Sequence, residues 1–159
     1  MTVTVNGMLS GVLYDLAAVA TRKPNKSKEI RMTGMLEPTP EQFAALAARP
    51  ADTPVVMVNL LKFKTAGGLE AYQQYGREVA PHLQRVGATL RYAGEAPELV
   101  IGDGERPWWD AILLVEYPTP QAFIDMVTTA EYAKVHEHRA AGLERGDLIA
   151  TSEWSMAGP

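Results

Sequence analysis

Residues 54–64 read PVVMVNLLKFK. The run is built from β-branched and large apolar residues, so it is one long strand. Successive side chains on a strand point to opposite faces. Val55, Met57, Leu61 and Phe63 therefore point one way, and Val56, Val58 and Leu60 the other. An antiparallel strand with one wet face should alternate apolar and polar residues. This one is apolar on both faces, and Asn59 interrupts it. The strand at residues 108–117, WWDAILLVEY, repeats the pattern: Ala111, Leu113 and Val115 oppose Ile112 and Leu114. The sheet must be covered on both sides.

The flanking segments give the order of elements. Gly67 and Gly68 end the first strand, and Leu69, Tyr72, Tyr75, Val79, Leu83 and Val86 recur at helical spacing. Pro81 should kink that helix or loosen one backbone bond, and Gly87 should end it. ATLRYAG (88–94) and ELVIG (98–102) read as strand segments, with a jog at Gly94 and Pro97. After a turn and WWDAILLVEY, Thr119-Pro120 opens a helix carrying Phe123, Met126 and Val127. A further helical run covers 130–144, and DLIATSEW (147–154) is the last strand. Strand, helix, strand, strand, helix, strand is the split βαβ, ferredoxin-like pattern: an α+β protomer whose four-stranded antiparallel sheet carries its helices on one face. Ahead of it, Thr39, Pro40 and Gln42 form a helix start with a capping box, followed by Phe43, Leu46 and Ala47.

Helices on one face leave the other face bare. An apolar patch of that size is rarely exposed on a monomer. The simplest cover is the same face of a second copy, so the expected assembly is a homodimer through the sheet face, a dimeric α+β barrel.

The barrel domain is expected over residues 36–156, behind an extension at 1–35. Leu9, Val12, Leu13, Leu16 and Ala20 predict a short amphipathic helix over 8–20, followed by the basic linker TRKPNKSKEI. No basic residue precedes the apolar part, and Asp15 interrupts it, which argues against a secretory leader. No run reaches membrane-spanning length. A cytoplasmic protein without membrane contact is expected. The net charge of -4 supplies no basic field for nucleic acid. The absence of cysteine excludes disulfides, thiol catalysis and zinc–thiolate sites. There is no phosphate loop, nucleophile elbow or zinc-protease motif, and no cofactor is expected.

Candidate chemistry rests on polar residues in apolar settings. Asn59 shares a strand face with Met57 and Leu61, so it serves either local backbone or a pocket wall. Asp110 and Glu116 alternate with Ile112 and Leu114, and Arg91 on the preceding strand is placed to pair with one of them. Such acids are edge ion pairs or, functionally, a general base and a substrate anchor. His82, His136 and His138 are the three histidines. On a helix His136 and His138 point nearly opposite ways, so no metal site is expected. Tyr132, His136 and Arg139 stand one turn apart and would line a cavity with an acid–base group and an anion anchor. Their plain alternative is a solvated helix face. Trp108 and Trp109 should point to opposite faces, one of them into core and the other into a cavity or seam.

VVMVNLLKFK, the Tyr72/Tyr75 helix, the Gly87 junction, VEYPTPQAF and AEYAKVHEHR, in that order, resemble the bacterial domain-of-unknown-function family numbered thirteen-thirty, within the dimeric α+β-barrel superfamily. The resemblance covers residues 36–154. It implies a ferredoxin-like protomer, a homodimer, and a pocket between sheet and helices or inside the barrel, and it carries no agreed catalytic residues. Three functions follow as expectations. The first is a cofactor-independent enzyme acting on a small organic molecule by proton transfer, isomerisation, cyclisation or oxygenation. In it Asp110 or His136 moves protons, and Asn59, Tyr75, Arg91, Trp109, Tyr132 and Arg139 bind substrate. The second is a non-catalytic small-molecule binding or sensing module. The third is a haem-handling protein, since Asn59, Trp109 and His136 are similar in type to residues of haem-degrading members of that superfamily.

Overall fold

The computed structural model describes residues 36–104 and 107–156. The predicted helix over 8–20 and the basic linker lie outside the described residues. Helix α1 (Pro40–Ala47) starts as its sequence dictates. The Thr39 hydroxyl accepts from the Gln42 backbone N–H at 3.2 Å, and the Gln42 side chain accepts from the Thr39 N–H at 2.9 Å.

Among the described residues four strands form one antiparallel sheet: β1 (Val55–Phe63), β2 (Thr89–Glu95), β3 (Ala111–Tyr117) and β4 (Leu143–Ala150), in the order β2-β3-β1-β4. The opening stretch is β1, paired on both edges. That central position explains its apolar character. Val55, Met57 and Leu61 are buried toward the helices. Val56, Val58 and Leu60 lie half-buried on the outer face.

The helix side carries α2 (Gly68–Arg85), α3 (Pro120–Val127) and α4 (Ala130–Gly142). The protomer is thus ferredoxin-like. Helix α2 runs through Pro81 without ending and closes at Gly87, where φ is 71° and the Ala88 N–H donates back to the Leu83 carbonyl at 2.9 Å. The second crossover is two helices, because Thr129 accepts from the Tyr132 N–H and so starts α4 afresh after α3.

Where α2 begins and α4 ends, their backbones nearly touch. A Cβ on Gly142 would lie 2.7 Å from the Gly68 carbonyl oxygen and 2.9 Å from the Tyr72 amide nitrogen. A Cβ on Gly68 would lie 2.7 Å from the Gly142 carbonyl oxygen. That same Gly142 carbonyl accepts from the Lys64 N–H at 3.0 Å, tying the junction to the end of β1.

Four local expectations are corrected. ELVIG is not a strand: the β2–β3 ladder ends where Ala96 N–H meets the Asp110 carbonyl, Pro97 has no N–H to continue it, and Val100 and Ile101 are exposed. The irregularity falls inside β2, between Leu90 and Tyr92, making Arg91 the extra residue. Trp108 and Trp109 precede β3, so strand alternation does not separate them, and their rings meet edge to face at 4.6 Å. The last strand starts at Leu143, directly after Gly142, and Trp154 lies beyond it, exposed.

Gly142→Ala should lower stability by roughly 1–3 kcal/mol, since the atoms it meets are backbone and cannot rotate away. Gly76→Ala, on the same pair of helices but with nothing within 4 Å of the new Cβ, should raise stability by about 0.5–1 kcal/mol. Urea unfolding of both variants checks the contrast.

Candidate functional site

The helices do not close down on the whole sheet. A cavity of about 1140 Å³ remains, lined by side chains of all four helices and of the helix-facing side of the sheet. Tyr75 packs against both apolar clusters of the core, one around Val55, Met57 and Val115, the other around Leu61 and Leu143. The cavity's polar groups gather at that junction.

From the sheet comes Asn59. It faces the helices because it shares β1 parity with Met57 and Leu61, and its backbone pairs with Leu113 and Leu148. Its side chain is half-buried and has no hydrogen-bond partner among the described residues. An amide so placed is free to bond whatever occupies the cavity.

From α2 come Tyr72 and Tyr75, ring centroids 5.3 Å apart. Burial pushes the Tyr72 hydroxyl up to about 12, although the nearby Arg139 charge pulls it down. Burial also raises Tyr75 well above the usual range. Both phenols therefore keep their protons at neutral pH and act as donors. The Tyr75 and Tyr132 hydroxyl oxygens are 3.3 Å apart.

From α4 come Tyr132, His136 and Arg139, stacked one turn apart. The Tyr132 and His136 rings are 5.9 Å apart. His136 is half-buried, and its imidazole is held below the ordinary value of 6.5. Burial is the main cause and the charge of Arg139 the second; a hydrogen bond to the Leu36 backbone and the charge of Glu37 oppose them. A neutral ring with a free lone pair can take a proton.

Arg139 is 6% exposed. Its Nη1 donates to the Leu36 carbonyl at 3.2 Å, and its charge lies close enough to the Tyr72 hydroxyl to favour ionisation there. Gly146 on β4 makes room for it: a Cβ there would lie 3.0 Å from Arg139 Nη2 and 2.8 Å from the Leu143 side chain.

Five of the eight sequence-predicted residues thus line one cavity: Asn59, Tyr75, Tyr132, His136 and Arg139. The other three do not. Asp110 sits at the end of β1, where its carboxylate accepts from Lys62 Nζ at 2.9 Å and from the Phe63 N–H at 2.8 Å. Arg91 forms a two-pronged ion pair with Glu116, at 3.0 and 2.9 Å, on the outer face. Trp109 lies 5.6 Å from the Arg145 guanidinium, beside Trp108. The two candidate proton carriers, Asp110 and His136, are therefore parted. Of the two other histidines, His82 on α2 packs edge-on to Tyr132, and His138 on α4 faces Glu78 at 3.4 Å. Helical spacing places Tyr72 on the buried face of α2 without marking it as a site residue, and strand pattern gives Gly146 no role. A glycine interrupting a strand was the available signal for close approach of another group.

A ferredoxin-like α+β domain with a chambered space between sheet and helices is the class that this geometry defines. The chain belongs to the family described as "Domain of unknown function (DUF1330)", whose model matches residues 61–152. It is similar to RPA0582, a protein of unknown function from Rhodopseudomonas palustris, at 31% identity over 77% of this chain and 99% of that one, with a TM-score of 0.68. The methylated form of RPA0582 gives a TM-score of 0.69 at the same identity, over 78% of this chain and 98% of that one. A more remote likeness is a dimeric protein of unknown function and ferredoxin-like fold from Bacteroides fragilis, at 14% identity over 65% of this chain and all of that one (100%), with a TM-score of 0.45. No curated protein matches the chain.

The His136 ring should titrate below 6.5 in the folded protein, read from its Cε1–H resonance. A folded pKa below the unfolded one means that unfolding takes up protons on acidification. The His136 contribution is present above the unfolded value and is lost as pH falls through the folded one. His136→Asn should flatten that part of the curve of melting temperature against pH.

Proposed function

We propose that the chain is a small-molecule pocket protein that performs acid–base chemistry on a small, largely apolar organic substrate, with His136 as the group that moves the proton. The observation that carries this reading is the convergence of a neutral imidazole, protonated phenols and an unpartnered amide on one cavity with apolar walls. Such a mixture is what a small-molecule site requires: apolar surface for affinity and a few placed polar groups for orientation. With Tyr72 and Tyr75 protonated, His136 is the cavity group suited to accept a proton near neutral pH. Asn59 would orient the substrate, and the phenols would donate to an oxygen on which charge develops. Loss or gain of a proton beside a carbonyl is the reaction class that these groups serve without a cofactor.

The test is deuterium exchange. Small carbonyl compounds incubated with the protein in D2O should lose their α-proton signals faster than in buffer, followed by proton NMR. His136→Asn should slow the exchange by about 100-fold or more. If cavity ligands bind and no compound exchanges above buffer, the non-catalytic binding reading replaces this one.

The same reading takes the working unit to be a homodimer through the outer face of the sheet. The register supports it. Tyr92, Leu114, Val58 and Ile149 form one continuous row across β2, β3, β1 and β4. Tyr92 and Ile149 at its ends are about half exposed, at 55% and 48%. A second copy would cover that row. Light scattering should give about twice the chain mass of 17.3 kDa. Val58→Lys should give the single-chain mass. A wild-type chain that stays single at micromolar concentration would overturn the dimer.

A further inference from the structure

We propose that the cavity's ligand is a monoanion, a mostly apolar molecule ending in one carboxylate or comparably acidic oxygen, and that Arg139 binds that end. This rests on the pocket reading above and names the class of molecule the pocket takes.

Among the described residues Arg139 is a buried cation that enters no ion pair. Arg139 is 94% buried, counted from its 6% exposure. A guanidinium keeps its proton at any pH the protein meets, so burial cannot neutralise it. Buried charges are costly unless they are paired and hydrogen-bonded. Among the described residues, the ion pairs join Lys62 to Asp110, Arg91 to Glu116, His138 to Glu78 and Arg145 to Asp147; none involves Arg139. Its hydrogen-bond partner among the described residues is the Leu36 carbonyl, which is uncharged. The fold nevertheless reserves space for it at Gly146. A cation held in this way and lining a cavity is built to meet an anion from outside.

The rest of the lining fixes the kind of anion. Among the described residues Arg139 is the one lysine or arginine in the cavity wall. Of the acids there, Asp147 is already satisfied by two bonds from Arg145, at 2.9 and 3.0 Å, and Glu37 is exposed. One cation suits a singly charged oxyanion. A phosphate dianion would call for more positive charge than this wall supplies. Away from Arg139 the wall includes Met57, Val79, Leu83, Phe123 and Val127, which suits an apolar body. His136, one turn before Arg139, then stands beside the bound acid group, where a proton adjacent to it would be within the imidazole's province.

The probes are 2-naphthoate and its uncharged isostere 2-naphthamide, titrated into the full chain and followed by protein NMR at the Tyr72, Tyr132 and His136 resonances. The naphthoate should bind about tenfold or more tightly than the amide, the effect expected of one charge-assisted contact over a neutral one. Arg139→Gln should abolish that preference and keep amide binding. Equal affinity of acid and amide in the wild type overturns the anion assignment and leaves the pocket reading intact, and no variant is needed to see it. A preference that survives Arg139→Gln also overturns the assignment. If neither probe binds at millimolar concentration, the pocket reading itself fails, and this inference with it.

Discussion

The close approach of Gly68 to Gly142 is the contact on which the site depends. Two backbones pass where neither tolerates a Cβ. The helices therefore converge at the start of α2 and the end of α4. Tyr72 lies one turn into α2 from Gly68, and Arg139 nearly one turn before Gly142 on α4, so the crossing brings these two side chains together. Lys64 bonds the same carbonyl and fixes the crossing to the end of β1. Packing energy here goes into position. A bulkier pair would hold the helices further apart and draw the Arg139 guanidinium away from the Tyr72 phenol.

The electrostatics of the cavity follow from that placement. One buried cation lies beside one imidazole, and both stand against phenols that burial keeps protonated. The Arg139 charge lowers both His136 and Tyr72, and on the tyrosines burial outweighs it. Arg139 discourages a second positive charge on His136, and desolvation discourages ionisation of the tyrosines. Among the described residues the site thus carries hydrogen-bond donors, one base and one positive charge outside any ion pair. The carboxylates of Asp110 and Glu116 are spent on ion pairs elsewhere, with Lys62 and Arg91.

Much of the fold is legible in the sequence, because it is written in periodicities. The two-faced apolar strands, the capping box at Thr39 and the glycine stops each have one physical interpretation, and the sheet order is the arrangement that satisfies them together. The boundaries that differ have local causes: Pro97 denies the ladder a donor, and Gly142 ends a helix that composition alone would extend through Leu143 and Glu144. The site is legible on α4, where helical spacing stacks Tyr132, His136 and Arg139. It is not legible for Asp110, Arg91 and Trp109. Strand parity predicts which face a residue takes, but not whether a lysine or a second arginine will reach it first, and Trp109 lies just ahead of the strand whose parity would apply. Nor does periodicity reveal Gly146, whose part is to be absent where Arg139 needs room.

Asn59 shows how tightly strand register binds these features together. Its backbone is locked between Leu113 and Leu148. Were β1 to slip by one residue, Asn59 would turn to the outer face and either Val58 or Leu60 would replace it in the cavity. The amide would then interrupt the apolar row that a second subunit would cover, and the cavity would lose its polar group from the sheet. Burial of Val55, Met57 and Leu61 on the helix side opposes that slip, since all three would leave the core at once. The apolar residues of β1 thus fix the face on which its one amide appears, and a strand apolar on both sides can hold a polar group in place through packing alone.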